Sequence, residues 1–344
     1  MMNRPNKRGA ILILVLWALG FLSILALQLG MNLRQKIALW QRLEERRQLH
    51  YITDAGIQKA MAYLRYNVKN NQDYTAVNKV ILSDNENEFA HIDMGKGFAQ
   101  VSYSDIQEWE TTEAKKFGVV DEESKLNINE AKPSDLKTLL IHAFAMGEET
   151  ADELAKAIID WRDHGHSELS GFYGSAYYEN LKNPYTLKNA DYEILDELLL
   201  IQGITKSRYQ ELLKYITIYG EGKVNINTAP APVLLASGFS EELTKKILAA
   251  RRGYDGREGT PDDYIFLKIY DFASELGQLV DLKKEDIEQI DQVNFAGRIN
   301  TVSQFYFIQS TGYLLNKPQK KVIQCVFNVK DDKMEYYRER FNYY

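Results

Sequence analysis

Residues 10–29, AILILVLWALGFLSILALQL, contain no charged side chain. At ~1.5 Å of rise per residue this stretch makes ~30 Å of helix, the thickness of a bilayer's hydrocarbon core. The helical pattern does not stop there. Leu33, Ile37, Trp40 and Leu43 recur at three- and four-residue steps. After the charged Glu44–Arg47, Leu49, Ile52, Gly56, Ala60 and Tyr63 resume the stripe. No proline occurs between Asn6 and Pro133. The pattern predicts one helix of about 55 residues, half of it in a membrane and half projecting from it. Residues 70–87 are polar and read as loop or helix end. Phe98–Asp105 alternates, with Ala99, Val101 and Tyr103 against Gln100, Ser102 and Ser104, as a half-buried strand does. Lys116–Val120, Arg298–Leu315, Lys320–Val329 and Lys333–Phe341 are further strand candidates, with Ile323, Cys325, Phe327 and Val329 on one face. Between the early and late strands, from about Glu123 to about Phe295, the period is helical. The reading is an α+β fold: a long N-terminal transmembrane and stem helix packed on a small antiparallel sheet, interrupted by a large inserted all-α domain.

The insertion contains a repeat. Lys125-Leu126-Asn127-Ile128-Asn129-Glu130-Ala131 and Lys223-Val224-Asn225-Ile226-Asn227-Thr228-Ala229 share the pattern Lys-apolar-Asn-Ile-Asn-x-Ala. Leu136 and Leu234 follow five positions after each Ala. Such a match points to internal duplication. The apolar residues dock in a core and the Asn side chains bond local backbone. The second Asn, or Thr228, is expected to N-cap a helix with proline in its first turn. Glycine turns follow at Gly147 and Gly238, each between an apolar helix and an amphipathic one, and a third such unit lies between them: an apolar helix through Leu199 and Leu200, then Gly203, then a helix through Leu212, Leu213 and Ile216. These units resemble helix-hairpin-helix (SAM-like) modules, which use hairpin amides to bind phosphate. That use needs a second glycine where this chain has Glu149, Thr205 and Ser240. Glu148, Glu149, Glu241 and Glu242 would also repel phosphate. The hairpins read as structural, with no nucleic acid bound.

Charge sharpens this division. The chain carries −6 overall, but between Asp121 and Gly297 there are 32 Asp and Glu against 19 Lys and Arg, a net −13. The remainder is therefore basic, beginning with Arg4, Lys7 and Arg8. Basic residues ahead of the span favour a cytoplasmic amino end. An ordinary cleaved signal peptide fits poorly, since the span is long and its helical pattern runs on. One cysteine, Cys325, excludes an intramolecular disulfide and a cysteine-rich zinc site. It reads as a small buried strand residue.

Lys7-Arg8-Gly9 directly before an apolar helix resembles a type IV prepilin processing site. The resemblance implies cleavage by a prepilin peptidase after Gly9, so that the mature chain begins at Ala10. Most pilins have glutamate at the fifth mature residue; here it is Leu14. Lack of that glutamate, a large helical insertion, Ile159-Asp160-Trp161-Arg162-Asp163, Tyr177-Tyr178 and the segment Lys223–Pro230 are similar to the minor pseudopilin K family of the type II (general) secretion system. The resemblance spans nearly the whole chain. It implies a leader over 1–9, a transmembrane helix over 10–29, and the stem with the first part of a pilin-like domain over 30–122. It implies an inserted α domain over 123–295 and closing strands over 296–344. The implied function is to stand at the tip of a periplasmic pseudopilus and nucleate its assembly for export of folded proteins, with no enzymatic activity. The implied partners are minor pseudopilins of the I, J and H families, the major pseudopilin, the prepilin peptidase and the inner-membrane secretion platform. The implied location is the inner membrane, single-pass, with the bulk of the chain periplasmic. The alternative function is a membrane-anchored helix-hairpin-helix nucleic-acid binder.

No catalytic signature is present: no Gly-x-Ser-x-Gly, no phosphate loop, no His-Glu-x-x-His. Of His50, His91, His142, His164 and His166 only the last two cluster. Asp160 and Asp163 lie one helical turn apart and, with Glu168, form a candidate calcium site; the resemblance implies calcium as a cofactor. This chain has Gly165 and Ser175–Ala176 where the family places further acids. The stretch from Asp255 to Asp263, with Glu258 and Asp262, is a second cation candidate, though such a loop is more often a solvated turn. Tyr177, Tyr178, Tyr185 and Tyr343–Tyr344 are candidate protein contacts.

Overall fold

A computed structural model describes residues 7–66, 85–106, 113–163, 169, 175–256 and 262–342. Helix α1 runs unbroken from Lys7 to Arg65, 59 residues, or ~90 Å. Among the described residues its first half is exposed. From Leu49 onward its stripe is buried, with Leu49, Ile52, Ile57, Ala60, Met61 and Leu64 against the sheet. A short helix, α2 (Glu86–Phe89), seats the buried Phe89 beside them.

The sheet is antiparallel. Strands β1 (Ile92–Asp93), β2 (Gly97–Ile106), β3 (Glu113–Phe117) and β4 (Val120–Asp121) come before the insertion, with β4 turning into a tight 3-10 turn, Glu122–Ser124. Strands β9 (Phe305–Leu314), β10 (Lys320–Asn328) and β11 (Lys333–Asn342) follow it. The order is β1-β2-β9-β10-β11, with β3 on β2 and β4 on β9. Period-two alternation buries one face. Ala99 and Val101, then Tyr306, Ile308 and Ser310, then Ile323, Cys325 and Phe327 all turn inward. Burial there pushes the Cys325 thiol up to about 12. Lys321 sits in this face only 1 % exposed, and its charge is matched. Its Nζ donates to His50 Nδ1 on α1 at 2.7 Å and lies 2.6 Å from Glu339 Oε2 on β11, over the Phe341 ring.

The helical block has its own core, running from Leu126 to Ile299 without a residue of the large sheet. After β5 (Leu126–Asn127) come α3 (Pro133–Phe144), α4 (Glu148–Arg162), α5 (Ser175–Glu179), a 3-10 turn (Leu195–Leu200) and α6 (Lys206–Leu212). Then come β6 (Ile216–Thr217), β7 (Val224–Asn225), α7 (Ala231–Ala236), α8 (Glu241–Arg251), α9 (Phe272–Leu279), α10 (Lys284–Phe295) and β8 (Ile299–Asn300). The α3 helix packs on both α4 and α7, so the two repeats share one core.

Three expectations are corrected. The third hairpin's helix ends at Leu212, and Ile216 lies in β6, where it is needed to pair with Leu126. Leu199 and Leu200 form an exposed 3-10 turn instead of a buried helix. The strand expected from Arg298 starts at Phe305, because Ile299 is drawn into the helical core and pairs with Val224.

Candidate functional site

Three regions carry the chemistry this chain can perform: the free half of α1, the paired motifs of the insertion, and the junction between insertion and sheet.

On α1, Leu14 is 69 % exposed, and Leu33, Ile37, Trp40 and Leu43 are exposed as well. An apolar helix that meets no protein is matched by lipid or by other helices, since water would charge for every apolar side chain. Its length and hydropathy suffice to cross a membrane once, as in a single-pass anchor. Gly9 and Ala10 lie within the helix, and their side chains fall outside the described residues.

The two motifs make matching backbone pairings. In the first, Leu126 N and Ile128 N donate to Tyr215 O and Thr217 O, pairing β5 with β6 in parallel. In the second, Val224 N and Ile226 N donate to Arg298 O and Asn300 O, pairing β7 with β8. The first Asn of each copy folds back locally: Asn127 Oδ1 accepts from Asn129 N and Asn225 Oδ1 from Asn227 N. The second Asn does not cap a helix. Asn129 instead exchanges two hydrogen bonds with the Tyr192 backbone, and Asn227 grips the Phe266 backbone and Thr301 O. The helix N-caps are Lys132 and Pro230, because each chain needs one further turn after the Asn before the helix can begin. A buried amide that satisfies a whole backbone segment fixes that loop to the core.

Each motif is closed by an arginine from the end of the following hairpin helix. Arg162 donates to Ile128 O and Ala131 O, and Arg251 donates to Ile226 O and Ala229 O. Their one signal is that both stand at the last turn of a helix following an Asn-Ile-Asn copy.

At the junction, the chain leaves the sheet at Asp121 and returns at Ser303, and these residues meet. The Asp121 carboxylate is fully enclosed. Oδ2 accepts from Ser303 Oγ at 2.7 Å, from Asn225 Nδ2 at 3.0 Å and from Thr228 Oγ1; Oδ1 accepts from Glu123 N. Burial raises its pKa while those donors pull it down. Glu122 accepts from Thr217 Oγ1 and pairs with Lys125, each at 2.6 Å. Glu123 accepts from Gln304 N, and burial, aided by Asp121, pushes its pKa up to about 7. Sheet, first repeat and second repeat are thus bonded to one acidic knot.

The proposed calcium ligands are only partly placed. Asp160 is 3 % exposed and its Oδ1 accepts from Leu169 N at 2.8 Å; Asp163 is the C-cap of α4. Glu168 and both clustered histidines, His164 and His166, lie outside the described residues. Two carboxylates fall short of the six to eight oxygens calcium takes. Among the described residues no three His, Cys, Asp or Glu side chains converge. The described residues therefore do not by themselves fit the ion. Of the tyrosines named as contacts, Tyr177 and Tyr185 are half-buried and Tyr178 is buried. Tyr178 is buried against Trp161, and Tyr185 OH donates to Leu200 O, because their rings fill the space beneath α4. Tyr343 and Tyr344 lie outside the described residues. The hairpin helices begin at Gly147, Thr205 and Ser240, with Glu148, Glu149, Glu241 and Glu242 in first turns where a phosphate would sit.

Comparison with known proteins converges on one family. The model for "Type II secretion system (T2SS), protein K" matches residues 120–221. A putative type II secretion system protein K of Escherichia coli (strain K12) is 22 % identical over 284 residues, 78 % of this chain and 81 % of that protein. The type II secretion system protein K of Aeromonas hydrophila is 29 % identical over 147 residues, 39 % of this chain and 44 % of that protein. Among solved structures, a chain of the GspK-GspI-GspJ complex from the enterotoxigenic Escherichia coli type 2 secretion system shares the fold. The TM-score is 0.59 at 14 % identity, covering 87 % of this chain and 98 % of that one. None of these supports a nucleic-acid-binding role.

Proposed function

We propose that this chain, similar to protein K of type II secretion systems, is a minor pseudopilin that heads a periplasmic pseudopilus and nucleates its assembly. The observation that carries this reading is Leu14. In pilins resembling this one, the fifth-residue glutamate pairs with the amino terminus of the neighbouring subunit. A carboxylate in lipid demands such a partner or must take up a proton. Leucine sits in lipid without penalty, so a subunit carrying it has no need to follow another. Once a prepilin peptidase has cut after Gly9, the freed Ala10 amine still offers a positive charge to the glutamate of the next subunit. The inserted domain supports the same placement, because so bulky a block would clash if repeated along a tightly wound shaft. The amino end then faces the cytoplasm and the two folded domains stand in the periplasm. Minor pseudopilins of the I and J families are the direct neighbours, as in the complex named above, with the H family, the major pseudopilin and the inner-membrane platform beyond them.

The test is purification of the full chain from membranes that also express the other minor pseudopilins. Co-purification of the I and J partners, and an intact mass that starts at Ala10, are expected. A chain that starts after Leu29, or that leaves the column alone, contradicts the reading.

A further inference from the structure

A cleft of about 1780 Å³ opens between the outer face of the sheet and the helical domain. Small-molecule pockets hold roughly 300–1,000 Å³, so the space suits a segment of a macromolecule better than a metabolite. One wall is β11; the facing wall is the turn Leu195–Leu200 with α6.

β11 is the last strand of its sheet. β10 covers one of its edges, and among the described residues no strand covers the other. Three consecutive residues, Tyr336, Tyr337 and Arg338, border the cleft. Successive side chains of a strand point to opposite faces, so three in a row can border one space only where the strand turns its edge toward it. A free edge is a row of alternating N–H and C=O groups, which another extended backbone matches.

Charge selects the partner. The helical block is acidic, yet the cleft is bordered by eight Lys and Arg against four Asp and Glu. Asp121 and Glu122 are buried and bonded within the junction, Lys125 is paired with Glu122, and Arg251 is buried and bonded to Ala229 O; setting these four aside leaves six Lys and Arg against two acids, so what the cleft presents is basic. The chain already places one carboxylate on this wall: Asp196 lies 3.7 Å from Arg338. Both members of that pair are over two-fifths exposed, which makes it weak and replaceable. Charged side chains on an open edge also discourage indiscriminate pairing, and here their sign discriminates in favour of an acidic strand. Six tyrosines line the same space, a residue type enriched where proteins meet.

We propose that this cleft docks an acidic, extended polypeptide segment of a partner protein, which adds to the free edge of β11 and lays its carboxylates against Lys206, Arg338 and Arg340. This docking is separate from the helix contacts that would build a filament, so it stands or falls independently of tip placement.

The experiment uses the full chain in detergent micelles and a fluorescent peptide alternating Glu and Val. Saturable binding is expected, weakening as ionic strength rises. A Lys–Val peptide, and a Glu–Val peptide N-methylated at alternate residues, are expected to bind at least about tenfold more weakly, the first through charge and the second through lost backbone donors. The double variant Arg338→Glu/Arg340→Glu is expected to lose about tenfold in affinity with an unchanged melting temperature. No saturable binding, equal binding of the Lys–Val or N-methylated peptide, or full binding by a folded double variant would each overturn the proposal.

Discussion

Asp121 shows how much a single side chain can decide. Its carboxylate joins Ser303 just ahead of the return strand, Asn225 and Thr228 in the second repeat, and the turn that opens the first. The neighbouring Glu123 gives the knot a pH dependence whose sign is fixed. Its folded pKa, about 7, lies above the ordinary 4.5, so folding favours the protonated form. Its contribution is full below the ordinary value and is lost as pH rises through about 7. The loss approaches ~3 kcal/mol if the whole shift is realised. Urea unfolding of the full chain at about pH 5 and about pH 8 is expected to show lower stability at the higher pH. Glu123→Gln is expected to flatten that difference; a wild-type chain equally stable at both would contradict the assignment. The paired arginines make a second residue-scale prediction. Arg251 is 2 % exposed and Arg162 only half-buried. Arg251→Met should cost about 3 kcal/mol and Arg162→Met about 1–2 kcal/mol, since carbonyls nearer water can be resolvated. The reverse order in chemical denaturation would show that the two copies are not clamped alike. These contacts were not legible in the sequence. Arg162 stands 34 residues from Ile128, and Arg251 stands 25 from Ile226, so no fixed spacing advertises them.

Among the elements, what repeated with a period was legible and what did not was hidden. The long helix declared itself through its uncharged run and its resumed stripe, and β2 and β10 through alternation. The two-residue strands β5 to β8 are too short to show a period, and they exist because the Asn-Ile-Asn backbone needs partners that only the fold supplies. The seat of α1 on the sheet was legible only in part. Gly56 stood out within the stripe, but its reason lies across the interface: a methyl there would overlap Ser310 Oγ, and one at Gly312 would overlap Thr53 Oγ1. Helix and β9 approach that closely because both residues lack a side chain. Gly312→Val is expected to cost about 3 kcal/mol or more and to expose the helix–sheet seam to protease, while the helical domain, with a separate core, stays folded. A Gly312→Val chain that melts and digests like the parent would contradict this close packing.

For the whole molecule, the plan of a sheet interrupted by a helical block could be read from strand-like segments on both sides of it. How the two bodies meet could not, since the contact between Asp121 and Ser303 spans 182 residues and rests on polar side chains that carry no pattern. The cleft beside β11 is hidden for the same reason. The central claim is a subunit used once, at an end. In the proposed placement Leu14 needs no preceding neighbour, and the insertion, bonded to the sheet through Asp121, is the block that is not to be repeated along a shaft. Gold-labelled antibody against the helical domain, applied to assembled pseudopili, tests this most directly. The account predicts label at one end of each filament and none along its length; label spaced along the shaft would contradict it.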